Sequence, residues 1–167
     1  MATAYVGLGS NIEPRRAHLA LALERLAARP FGLKAQSSLY ESEPLDVPDQ
    51  PWFLNMVVEL QTELEPVALL RALQGIEAEA GKQITLRRGP RTLDLDLLLW
   101  GQAIVETQEL VLPHERLAQR EFVLRPLAEI APQARHPLLE RSAAEMLKIL
   151  PKGGGQVKLL GPFQAAK

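Results

Sequence analysis

Two aspartates with one leucine between them, Asp94 and Asp96, stand in a strongly apolar stretch, Leu93 to Trp100. On a strand, successive side chains alternate faces, so both carboxylates share one side and Leu93, Leu95, Leu97 and Leu99 take the other. Asp is a poor strand former, and neighbouring carboxylates repel unless a cation lies between them. A hard divalent ion with oxygen ligands, shared with phosphate, answers that arrangement. Arg87, Arg88 and Arg91 just upstream suit phosphate oxygens, and His114 and Arg120 follow downstream. A solvated strand face would account for the Asp pair alone, but not for the basic residues gathered around it.

A second pair is Phe53 and Asn55, two residues apart and therefore on one face of a strand. An aromatic plane beside an amide suits a flat, hydrogen-bonding heterocycle, although an isolated Phe is more often a core residue. Gly7-x-Gly9 after a first strand lacks the third glycine of a dinucleotide fingerprint and is read as a tight turn. His18 and His136 have no neighbouring ligand partner in the sequence.

Composition narrows the chemistry. Basic and acidic residues nearly cancel (19 against 20, net charge −1), which disfavours nucleic acid or an anionic membrane as partner. Cys is absent and His occurs three times, so thiolate chemistry is excluded and a zinc cage disfavoured. No apolar run is as long as a membrane span and Met1 to Gly9 has no basic start, so the expected location is the cytoplasm. A hydrophobic content of 47% over 167 residues suits one globular domain, placed at residues 1–150 with a flexible tail at 151–167.

The elements that must position these residues follow from period and punctuation. Strands are expected at Ala4–Leu8, Gln36–Tyr40, Phe53–Leu60 and Leu93–Trp100, and helices from Pro14 to Ala28 and from Pro66 to Gly81. Ala103–Val105 and Glu109–Leu112 suggest short edge strands, and Phe122–Ile130 a further helix. The order is βαββαβ, the ferredoxin-like α+β arrangement, with an antiparallel sheet, helices on one face and extra C-terminal elements. The opposite face needs a cover or a function. An RNA-binding module shares this fold, but its central strands carry aromatics where Asp94 and Asp96 stand here.

The stretch Arg87-Arg88-Gly89-Pro90-Arg91-Thr92-Leu93-Asp94-Leu95-Asp96-Leu97-Leu98 resembles the signature of the 6-hydroxymethyl-7,8-dihydropterin pyrophosphokinases. Gly9-Ser10-Asn11, Phe53-Leu54-Asn55, Gln74 with Glu77, Pro113-His114, Arg120 with Phe122, and Pro126-Leu127 are similar to that family in the same order. The resemblance implies transfer of pyrophosphate from ATP to the hydroxymethyl oxygen of the reduced pterin, with release of AMP. It further implies two magnesium ions held by Asp94 and Asp96, and Arg91 and Arg120 beside them as catalytic groups. ATP contacts would come from Gln74, Glu77, Lys82, Arg87, Arg91, Leu97, His114 and Arg120. The pterin would meet Ser42, Leu45, Phe53, Asn55, Asp94 and Phe122. The family pattern also implies a monomer with small-molecule partners only, neither nucleic acid nor membrane. Arg88 stands where the family often carries Trp, and the Lys82–Pro90 loop is expected to close over bound substrates.

Overall fold

The computed structural model describes residues 1–45, 49–81 and 91–164. Fourteen elements follow in chain order: β1 (Ala2–Ser10), α1 (Arg15–Ala27), β2 (Leu33–Gln36), β3 (Leu39–Ser42), β4 (Phe53–Thr62), α2 (Pro66–Glu79), β5 (Asp94–Trp100), β6 (Val105–Glu106), β7 (Val111–Leu112), α3 (Glu121–Ile130), β8 (Arg135–His136), β9 (Arg141–Ser142), α4 (Ala143–Ile149) and β10 (Val157–Gly161). The main sheet is antiparallel, ordered β10-β3-β4-β1-β5, with β2 also paired to β4. This is the ferredoxin-like arrangement, with its second strand split into β2 and β3. The expected single strand Gln36–Tyr40 breaks at Ser37, whose hydroxyl accepts a hydrogen bond from the Val57 N–H (2.9 Å) and so takes over part of the ladder.

Alternation sends Val6, Leu8, Met56, Leu60 and Leu95 to one face, where they bury Leu19 and Leu26 of α1 and Leu69 and Leu73 of α2. Each such side chain contributes about 1.5–3 kcal/mol by leaving water. The other face is partly covered. Val57, Leu98 and Leu99 pack there against Leu117, against Val123, Leu124 and Leu127 of α3, and against Met146 of α4. Helices therefore lie on both faces, the second pair coming from the C-terminal third.

Leu99 departs from its expected side. The register between β1 and β5 shifts, Tyr5 standing opposite Leu99 and Val6 opposite Leu97, so Leu98 is the extra residue of a bulge. Past it Leu99 turns to the α3 side, while Trp100 packs on the α1/α2 core and donates from Nε1 to the Leu64 carbonyl (3.0 Å).

The segment after Pro151 also differs from the expected tail. β10 pairs with β3, and Phe163 is buried in the main core. Among the described residues, no helix is long and apolar enough to cross a membrane.

Candidate active site

The uncovered part of the α3-side face is a cavity of about 350 Å³. Its floor is built from three adjacent strands. Gly9 of β1 stands between Asn55 of β4 and Asp94 of β5. A Cβ on Gly9 would come within 3.2 Å of Asn55 Oδ1 and 3.8 Å of the Phe53 ring, so glycine keeps the floor flat for a ligand. Gly7 and Gly9 are strand residues, Gly9 at a point of close approach, and the tight turn expected from the sequence is not there.

Phe53 and Asn55 occupy one end of the floor and Asp94 and Asp96 the other, all four lining the cavity. Asn55 is buried and donates from Nδ2 to the Ser42 hydroxyl of β3. That bond fixes the amide and leaves its oxygen for a ligand donor. Phe122, from the first turn of α3, and Leu45 line the same cavity. The Arg120 guanidinium lies 5.5 Å from the Phe122 ring centre, which holds it beside the cavity.

Arg91, His114 and Arg120 line the same cavity as the aspartates. The Arg91 backbone is pinned by Asn11. Its N–H donates to Asn11 Oδ1 (2.7 Å) and its carbonyl accepts from the Asn11 N–H (3.0 Å). Asn11 Nδ2 in turn donates to Gln50 Oε1 (2.8 Å) and the Pro51 carbonyl (2.9 Å), the run into β4. One buried amide therefore ties the basic end to the strand carrying Phe53.

The half-buried His114 accepts at Nδ1 from the Arg116 N–H (3.2 Å). Burial first, and the positive charge of Arg120 second, push its pKa below the ordinary histidine value, against a smaller opposing pull from Glu115. The neutral ring then carries its proton on Nε2 as a donor.

Ser42, Leu45, Phe53, Asn55, Arg91, Asp94, Asp96, His114, Arg120 and Phe122 thus meet around one space. Gln74 is exposed on α2 and does not line it. Glu77 is buried outside it and accepts from the Leu95 N–H through Oε2 (2.8 Å), which anchors the aspartate-bearing strand. Leu97 points into the α1/α2 core, so its side chain is structural. Lys82, Arg87 and Arg88, with the expected closing loop, lie outside the described residues. Glu115 and Arg116 also line the cavity; the spacing Pro113 to Arg120 brackets them, but nothing in their types marked them out.

A ferredoxin-like sheet whose cavity gathers paired carboxylates, two arginines, an amide and two aromatic rings has the make-up of a phosphate-transfer enzyme for a flat substrate. Residues 5–132 match 7,8-dihydro-6-hydroxymethylpterin-pyrophosphokinase, and the chain belongs to that family. It is 48% identical over 134 residues to a 2-amino-4-hydroxy-6-hydroxymethyldihydropteridine pyrophosphokinase of Pseudomonas aeruginosa, covering 80% of this chain and 83% of that protein. Over 166 residues it is 40% identical to the folic acid synthesis protein fol1 of Schizosaccharomyces pombe, covering 98% of this chain but 22% of that protein. In structure it is similar to a crystal structure of Plasmodium falciparum HPPK-DHPS, with TM-score 0.69 and 15% identity, covering 89% of this chain and 43% of that one. That likeness bears on the fold. The chain spans less than half the length of these two longer proteins.

Proposed function

We propose that the cavity is where a pyrophosphoryl group passes from ATP to the hydroxymethyl oxygen of 6-hydroxymethyl-7,8-dihydropterin. The chain is an ATP-dependent pyrophosphokinase of folate synthesis, as its family membership gives. The observation that carries the residue-level reading is the shared floor: Asn55, Gly9 and Asp94 stand side by side on three strands. A pterin over Asn55 would hold its substituent toward Asp94.

In this reading Phe53 and Phe122 stack on the pterin, and Asn55 and Ser42 fix its orientation through hydrogen bonds. Asp94 and Asp96 would hold two magnesium ions. The donor set suits them: among the described residues no third His, Asp or Glu joins the pair, which leaves coordination positions for phosphate and water. There, magnesium would neutralise the triphosphate and the charge developing on the departing AMP. Arg91 and Arg120 bind phosphate oxygens, and the His114 Nε2 proton donates to one of them. Positioning and charge stabilisation account for most catalysis in such transfers, so no strong base is required. We further read the protein as a cytoplasmic monomer with small-molecule partners only.

Asp94→Asn and Asp96→Asn test the reading. Each keeps the side-chain volume and removes the charge that holds metal. Both variants are expected to fold normally and to lose several kcal/mol of transition-state stabilisation, roughly 100-fold or more in AMP release at ordinary magnesium. AMP release at the unsubstituted rate by both variants would overturn the metal assignment.

A further inference from the structure

Gly155, Gln156 and Val157 lie beyond the residues that match the family, and none of them lines the cavity. They nevertheless connect its two walls. On one side, Val157 of β10 pairs with Ser42 of β3, and the pairing continues past the strand end. The Glu43 N–H donates to the Gln156 carbonyl (3.1 Å), and the Gln156 N–H donates to Glu43 Oε1 (2.7 Å). Gly155 has φ +97°, and a Cβ there would come within 3.2 Å of Leu45 Cδ2, a group of the cavity wall.

On the other side, Arg125 sits one turn along α3 from Phe122. Its Nη1 donates to the Val157 carbonyl (2.7 Å), and its guanidinium lies 5.2 Å from the Tyr40 ring centre. Tyr40 stands opposite Asn55 and donates its hydroxyl to Glu129 at the far end of α3 (2.6 Å).

We propose that β10 and Arg125 form a cross-tie that sets the gap between the Phe122 wall and the Ser42–Leu45 wall, so that Arg125 and Gly155 are positioning residues for pterin binding. The proposal rests on reading the Phe53–Asn55–Phe122 end as the pterin subsite. Gap width matters because dispersion is short-ranged: opening a stacked contact by roughly 0.5–1 Å forfeits a quarter to a half of its attraction. β10 is an edge strand with Leu159 and Leu160 exposed, so burial of its own side chains accounts for little of its order. Its hydrogen bonds to β3, Glu43 and Arg125, and the burial of Phe163 just beyond it, hold it in place.

The test is binding of the reduced pterin in the presence of magnesium and an unhydrolysable ATP analogue, beside binding of the analogue alone. Arg125→Ala and Gly155→Ala are each expected to weaken the pterin roughly 2- to 30-fold and leave the analogue unaffected. Arg125→Ala should lower the thermal midpoint only slightly, since one hydrogen bond and one ring contact are lost. Arg125→Lys, which can still donate to the Val157 carbonyl, should recover part of the loss. Unchanged pterin affinity in both variants overturns the cross-tie, as does an equal loss for both ligands with a much lower midpoint. Phe122→Ala separates the two readings. A pterin loss there alone leaves the subsite standing and removes the cross-tie; no loss there removes both.

Discussion

His114 carries the clearest pH signature of the site. Burial and the Arg120 charge lower its pKa, so the folded protein resists protonating a ring that the unfolded chain protonates near pH 6.5. Its contribution to stability is therefore complete above about pH 6.5 and is lost as pH falls from there through the lowered folded value. The same protonation would add charge beside Arg120 and compete for Nδ1, which accepts from the Arg116 N–H. Between pH 7 and pH 5 the thermal midpoint should fall further in the unsubstituted protein than in His114→Gln, measured by calorimetry in matched buffers. Parallel curves would show that His114 titrates as it does in the unfolded chain. At this scale the sequence was informative: Asp94, Asp96, Phe53, Asn55, Arg91, His114, Arg120 and Phe122 all reach the cavity. Gln74, Glu77 and Leu97 do not, because the resemblance transfers a position without saying which way its side chain points.

Among the elements, β5 is the one on which the site depends. Its aspartates face the cavity because Leu95 and Leu97 are buried against α1 and α2, and Glu77 of α2 fixes the start of its ladder through the Leu95 N–H. Glu77→Ala removes a charged acceptor from a buried donor, and should cost about 1–3 kcal/mol in urea unfolding. Glu77→Gln keeps a carbonyl acceptor and should lose less; equal losses would mean that packing, not this bond, holds the strand. The alternation that exposes β5 in the sequence also explains the failure at Leu99, since a one-residue bulge reverses every side chain beyond it. The break at Ser37 was equally invisible, being made by a hydroxyl whose partner, Val57, lies 20 residues away. α4 did leave a signal: Ser142-Ala143-Ala144-Glu145 is a capping box, in which the Glu145 N–H donates to Ser142 Oγ (3.2 Å) and the Ser142 N–H to Glu145 Oε1 (3.1 Å). β10 left almost none. Gly153-Gly154-Gly155 has the composition of a linker, and the order beyond it comes from pairing with β3, from Arg125 and from burial of Phe163 in the main core.

At the level of the whole molecule, one sheet serves two purposes. The face toward α1 and α2 is a continuous apolar core, and the face toward α3 is divided between a smaller core and the cavity. The element order in the sequence anticipated the first face, and left the second in need of a cover or a function. It has both. An RNA-binding module, the rival that shares this fold, is set aside by family membership and by the two carboxylates on the open face. In the family's reaction the β- and γ-phosphates travel together to the pterin. ATP carrying label on the β-phosphorus, incubated with the protein, magnesium and the reduced hydroxymethylpterin, tests this. The expected result is one AMP per labelled pterin diphosphate, with no ADP at any time. Label retained in ADP, with a single phosphate on the pterin, would contradict it.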